Sequence, residues 1–120
     1  VGQVTMNRVK DSRFPDTPCE VVQQGPTKPS WKDPSIEYPV RHRCQFSWFC
    51  DGKSDVVPEY DIDIWEYVLA MSTKIATGYW ADLTHGATHY HADYVTPGWA
   101  KSKQKTRKIG DHIFYIWKKR

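Results

Sequence analysis

A chain of 120 residues supports one domain at most. Its 39% hydrophobic and 26% charged residues are ordinary for a folded protein and exclude a disordered chain. The formal charge of +3 and pI of about 8.8 are too weakly basic to single out nucleic acid. No run approaches the roughly 18 apolar residues that a membrane-crossing helix needs.

The chain opens on V-G-Q-V-T-M-N-R-V, a helical stripe with no Ser, Thr, Asp or Asn before its first apolar residue. We expect a helix already under way, its start and any targeting signal lying upstream of Val1. After a loop at 10–16 comes T-P-C-E-V-V-Q-Q. Thr17 is a good N-cap, Pro18 fits the first helical position and Glu20 closes a capping box, so a short helix is expected to end at Gly25. Residues 25–43 hold four prolines and little periodicity, which predicts a long surface loop.

Cys44 and Cys50 bracket C-Q-F-S-W-F-C, a short strand or an extended turn. As a strand it would point Gln45, Ser47 and Phe49 one way and Phe46 and Trp48 the other. With Cys19 the cysteine count is odd, which leaves both pairing and redox compartment open. A helix is predicted over 61–77, with Trp65, Val68, Leu69, Ser72, Ile75, Ala76 and Tyr79 at helical spacing on one face. Asp63 and Glu66 are its expected capping pair, Gly78 is its stop, and the helix is expected to be core. Lys101–Lys108 reads as a solvated basic loop, and I-G-D-H-I-F-Y-I-W as a closing buried strand.

The chemistry gathers in D-L-T-H-G-A-T-H-Y-H-A-D-Y-V-T-P-G-W-A, residues 82–100, which reads as strand and turn. Six Trp and seven Tyr are enough to fill a core and still line a cleft that stacks on sugars or bases. His85, His89, His91 and Asp93 are ligand types that zinc prefers, and a strand from His89 to Asp93 would turn three of them to one face. Exposed or hydrogen-bonded histidines are the plainer alternative. Cys44 or Cys50 with His42 could form a nucleophile and base, against a buried thiol or a disulfide. Carboxylate chemistry on a glycoside needs a buried general acid, but Glu20, Glu37, Glu59 and Glu66 read as caps or loop charges.

Six blocks in order carry a resemblance over nearly the whole chain: V-T-M-N-R-V at 4–9, R-F-P-D-T-P-C-E-V-V at 13–22, C-Q-F-S-W-F-C-D-G at 44–52, D-L-T-H-G-A-T-H-Y-H-A at 82–92, V-T-P-G-W-A at 95–100 and I-G-D-H-I-F-Y at 109–115. The sequence resembles the cell wall hydrolase family typified by the spore cortex-lytic enzymes SleB and CwlJ. The resemblance implies a single α+β domain, lysozyme-like and akin to lytic transglycosylases, over residues 1–120. It implies peptidoglycan as partner, with cleavage between N-acetylmuramic acid and N-acetylglucosamine in the cell wall, periplasm or extracellular space, or on delivery by a phage.

In the transglycosylase version one Glu protonates the leaving oxygen and then takes the proton of the muramic 6-hydroxyl as it attacks the anomeric carbon. In the family that Glu lies in a G-E-A-R-G-E-like segment of the first helix, upstream of Val1, so no residue here inherits the role. Gln45 and Ser47 are expected to face the sugar, with Thr88, Tyr90 and His91 opposite. Asn7 and Arg8 are expected to brace the first helix, and Asp82, Thr84, Gly86 and Ala87 to shape the turn. The expectation carries no cofactor, no metal, no nucleic acid and a monomer. Zinc hydrolysis through the His85/His89/His91/Asp93 cluster and a non-catalytic glycan-binding module are the alternatives.

Overall fold

Helix α1 (Gly2–Lys10) buries Val4, Thr5 and Arg8 on one face. The computed structural model, which describes residues 1–118, packs this face on the turn that follows Ala81 and on a three-stranded sheet. Val4, Ala87 and Phe114 form the core cluster, with Tyr90 packed against it. Helix α2 (Pro18–Val22) starts as its sequence dictates: Glu20 N donates to Thr17 Oγ1 at 3.3 Å, and the Thr17 hydroxyl donates to Glu20 Oε1 at 3.0 Å.

Residues 25–43, expected as loop, carry an exposed antiparallel pair, β1 (Thr27–Pro29) and β2 (Glu37–Pro39). Each strand ends on a proline, where the missing N–H is tolerated. Between Cys44 and Cys50 the turn reading holds over the strand reading: Ser47–Cys50 is a single 3-10 turn and the two cysteines are disulfide-bonded. Cys19 is free and exposed. The nucleophile role considered for Cys44 or Cys50 is therefore corrected, because neither is a thiol.

Helix α3 (Ile62–Ala76) matches the predicted span. Asp61 is its N-cap, without a side-chain cap bond, in place of the expected Asp63 and Glu66 pair. It stops where Gly78 takes φ 73° and Tyr79 N donates to Lys74 O at 2.9 Å. The helix is not core. Trp65, Val68 and Leu69 remain 43%, 43% and 51% exposed. The N-terminal segment and α3 line a cavity between them, with Trp65, Val68 and Ile75 on its wall, so this face is only partly covered.

Strands β3 (His89–Ala92), β4 (Lys103–Ile109) and β5 (His112–Trp117) form an antiparallel sheet in the order β3-β5-β4. β5 is central, with Phe114 and Tyr115 buried. β4 corrects the expected basic loop: it is a lysine-rich edge strand with no apolar alternation to announce it. Its register shifts between Lys105 and Arg107, and there Thr106 Oγ1 donates to Thr84 O at 2.9 Å.

The turn before β3 is built on Asp82. Oδ1 accepts from Thr84 N at 2.8 Å and Thr84 Oγ1 at 2.6 Å, and Oδ2 accepts from Gly86 N at 2.8 Å and Asn7 Nδ2 at 2.9 Å. Asn7 Nδ2 also donates to Ala87 O at 2.9 Å, while Gln3 Nε2 donates to Asn7 Oδ1 and fixes which way the amide faces. Burial opposes ionisation of Asp82, but the hydrogen bonds from Thr84, Asn7 and Gly86 hold its carboxyl below the usual range. That stability is present above the unfolded carboxyl pKa of about 4 and is lost as pH falls through the lower folded value. Asn7→Ala is expected to cost about 2–3 kcal/mol in urea unfolding, because it strands acceptors on the turn. Asp82→Asn is expected to flatten the acid limb of the stability–pH curve.

Candidate functional site

A cavity of about 470 Å³ opens along β3. It is lined by Gln45, Phe46 and Ser47 of the disulfide loop, by His89, Tyr90, His91 and Ala92 of β3, and by Arg8, Val95, Trp99 and His112. The chain reaches this arrangement through three local devices. The Cys44–Cys50 bond closes the loop that carries Gln45 and Ser47. The Asp82 turn launches β3. A 3-10 turn, Gly98–Ser102, brings Trp99 back against the strand.

Arg8 is 5% exposed and contributes from beneath. Its Nε donates to Thr88 O at 2.7 Å, and its guanidinium lies 4.8 Å from the Phe14 ring centre and 5.2 Å from that of Phe46. Among the described residues, no Asp or Glu lines the cavity. The polar groups it offers are amide, hydroxyl, phenol, imidazole and guanidinium.

Four of the five expected sugar-facing residues, Gln45, Ser47, Tyr90 and His91, come together here. Thr88 is a correction: it is 5% exposed, and its hydroxyl is engaged with His89 Nδ1 at 3.0 Å. His91 lines the cavity with its ring, not with a free nitrogen. Nδ1 donates to Ala92 O at 2.7 Å, since a carbonyl only accepts, and Nε2 meets the Tyr115 hydroxyl at 2.8 Å. The ring also stacks on Tyr115, with centres 5.3 Å apart. Burial lifts the Tyr90 phenol above its usual value, with the charge of Arg8 opposing, so its hydroxyl remains a donor at neutral pH.

The histidine cluster is not assembled. His85 sits exposed in the turn at φ 57°, and Asp93 pairs with Lys108 at 3.2 Å. Among the described residues no group of three or more His, Cys, Asp or Glu side chains converges to hold a metal ion.

Trp99 and His112 are site residues that sequence reasoning did not single out. Trp99 stood in a quoted block, V-T-P-G-W-A, but nothing in its spacing ties it to His91, whose ring centre is 5.7 Å away. His112 was assigned only to a buried strand, and its ring meets Tyr90 edge-on at 5.4 Å.

The model of a family described as Cell Wall Hydrolase matches residues 1–115. No curated protein matches the sequence. Among solved structures, the chain is similar to the catalytic domain of the germination-specific lytic transglycosylase SleB from Bacillus anthracis. That match has 22% identity and a TM-score of 0.59, and covers 96% of this chain and 74% of that one. The catalytic domain of the Bacillus cereus SleB protein is also similar, with 22% identity, a TM-score of 0.58 and coverage of 96% and 70%. The fold is α+β and lysozyme-like, as in these catalytic domains. With a family model matched from the first residue to the last buried tyrosine of β5, the chain belongs to the cell wall hydrolase family.

Proposed function

We propose that this protein degrades peptidoglycan by cutting the glycan strand between N-acetylmuramic acid and N-acetylglucosamine, as a lytic transglycosylase. The observation that carries the reading is the cavity on β3, where aromatic surfaces alternate with amide, hydroxyl and phenol groups. Sugars are recognised by that mixture: flat C–H faces rest on rings, and hydroxyl and acetamido groups find fixed partners. Gln45, Ser47 and Tyr90 are the hydrogen-bonding contacts in this reading, and Trp99 and His91 the ring surfaces. Membership of the cell wall hydrolase family supports peptidoglycan as the polymer.

The chemistry needs an acid that the cavity lining does not contain. We place it upstream of Val1, as the family resemblance implies. It protonates the leaving O4 while the muramic 6-hydroxyl attacks C1, then accepts that hydroxyl's proton, leaving a 1,6-anhydro end without consuming water. The absence of carboxylates from the cavity lining also favours a second reading, a glycan-binding module that cuts nothing.

Residues 1–120 alone are expected to bind purified peptidoglycan and release nothing, whereas the chain extended at its N-terminus releases muropeptides with 1,6-anhydro ends in mass spectra. Ordinary reducing ends would show hydrolysis instead, and an extended chain that binds but never cuts would leave the binding-module reading. Gln45→Ala and Tyr90→Phe are each expected to weaken glycan binding about five- to tenfold, by loss of one hydrogen bond.

The His89 imidazole is pushed down to about 4, by burial first and then by the charges of Arg8, Lys103 and Arg13. It is therefore neutral in the folded protein at pH values where an unfolded histidine, near 6.5, already takes a proton. Stability present above pH 6.5 is expected to be lost progressively as pH falls to about 4, and His89→Phe to remove that part of the slope in thermal unfolding.

A further inference from the structure

Among the described residues, three buried polar side-chain atoms have no hydrogen-bond partner: Arg8 Nη1, Gln24 Oε1 and Trp117 Nε1. Buried polar groups are nearly always paired, so each orphan calls for a reason. All three belong to one stretch of surface. Arg8 lines the cavity on β3, and Gln24 and Trp117 line a second cavity of about 450 Å³. The two cavities share Gln45 and His89 and so abut one another. The His89 ring stands between them, 5.3 Å from Trp99 of the first and 5.0 Å from Trp117 of the second.

The second cavity is tied to the first through the backbone as well. Gln45 N donates to Gln24 O at 3.0 Å. Beside it, a Cβ on Gly25 would come within 2.9 Å of Cys44 Cα, so only glycine lets the end of the α2 segment lie this close to the disulfide loop. Trp117 closes β5, and the cations of Arg13 and Lys103 lie over its ring at 4.4 and 4.2 Å. With its face covered in this way, what the indole has left unpaired is its N–H, buried from solvent. Gln24 has left its carbonyl oxygen. One lone donor and one lone acceptor are the complement of a secondary amide, whose C=O and N–H point to opposite sides.

We propose that this second cavity is a further saccharide subsite that holds the acetamido group of an N-acetylated sugar, Trp117 Nε1–H donating to its carbonyl and Gln24 Oε1 accepting from its N–H. The proposal rests on the reading of the first cavity as a glycan cleft, which it extends past His89. Both polar atoms are closed off from solvent, so engagement requires the side chains to adjust, as rotamers at binding surfaces commonly do.

The test is calorimetric titration of the chain with chitohexaose, a β-1,4 hexamer of N-acetylglucosamine, and with cellohexaose, which has the same backbone and no acetamido groups. Trp117→Phe keeps a ring and removes the N–H, and Gln24→Met keeps the length and removes the amide. Each is expected to weaken chitohexaose binding about five- to tenfold and to leave cellohexaose binding unchanged. Should Trp117→Phe fail to fold in a thermal scan, Gln24→Met carries the test alone. Equal losses for both glycans would overturn acetamido recognition. Unchanged chitohexaose binding in both variants, with a loss in Gln45→Ala, would remove the subsite and leave the cleft standing. A wild-type chain that binds neither glycan would bring down the cleft reading itself.

Discussion

Two neighbouring side chains on one helix hold the site together. Asn7 and Arg8 sit side by side on α1, and each reaches across 75 to 80 residues to the segment that becomes β3. Asn7 fixes the start of the turn through Asp82 and Ala87, and Arg8 fixes its end through Thr88 O. The Arg8 contact is buried and those of Asn7 are partly buried, where an unmade hydrogen bond costs more than a made one contributes. Helix, turn and edge strand are thereby set as one body. Tyr90 then rests on the Val4–Ala87–Phe114 cluster with its ring toward the cavity.

Elements that signal themselves by local chemistry were legible in the sequence. The Thr17-Pro18-Glu20 start of α2, the apolar period of α3 with its Gly78 stop, and the aromatic β5 all fall where their residues put them. What was not legible depends on neighbours. β4 is a strand because β5 offers it a partner, and its own residues, K-Q-K-T-R-K-I, read as solvated. The apolar stripe on α3 reports a face that wants covering and says nothing of how much cover it has. Within the site, the family resemblance pointed to Gln45, Ser47, Tyr90 and His91, but not to the buried state of Thr88 or the full engagement of the His91 nitrogens. Trp99 and His112 arrive by a turn and a strand pairing that no short-range pattern encodes.

The electrostatic character of the site follows from what surrounds it. Arg8 is a buried cation between two rings, with no carboxylate in the cavity lining to neutralise it. Burial first, and then its field with those of Lys103 and Arg13, push the His89 imidazole down to about 4. The cavity thus presents the permanent positive charge of Arg8 beside aromatic rings, a surface suited to hydrogen-bond acceptors.

The loop between Cys44 and Cys50 supplies Gln45 and Ser47, whereas β3, supplying Tyr90 and His91, is held by strand pairing and by packing on the core, with no covalent link. One side of the cleft therefore answers to the thiol–disulfide balance of its surroundings and the other does not. A reductant acts on the covalent closure of the Cys44–Cys50 loop and leaves the β3–β5 pairing without a bond to break. One wall of the cavity is thus completed by a bond that persists only under oxidising conditions.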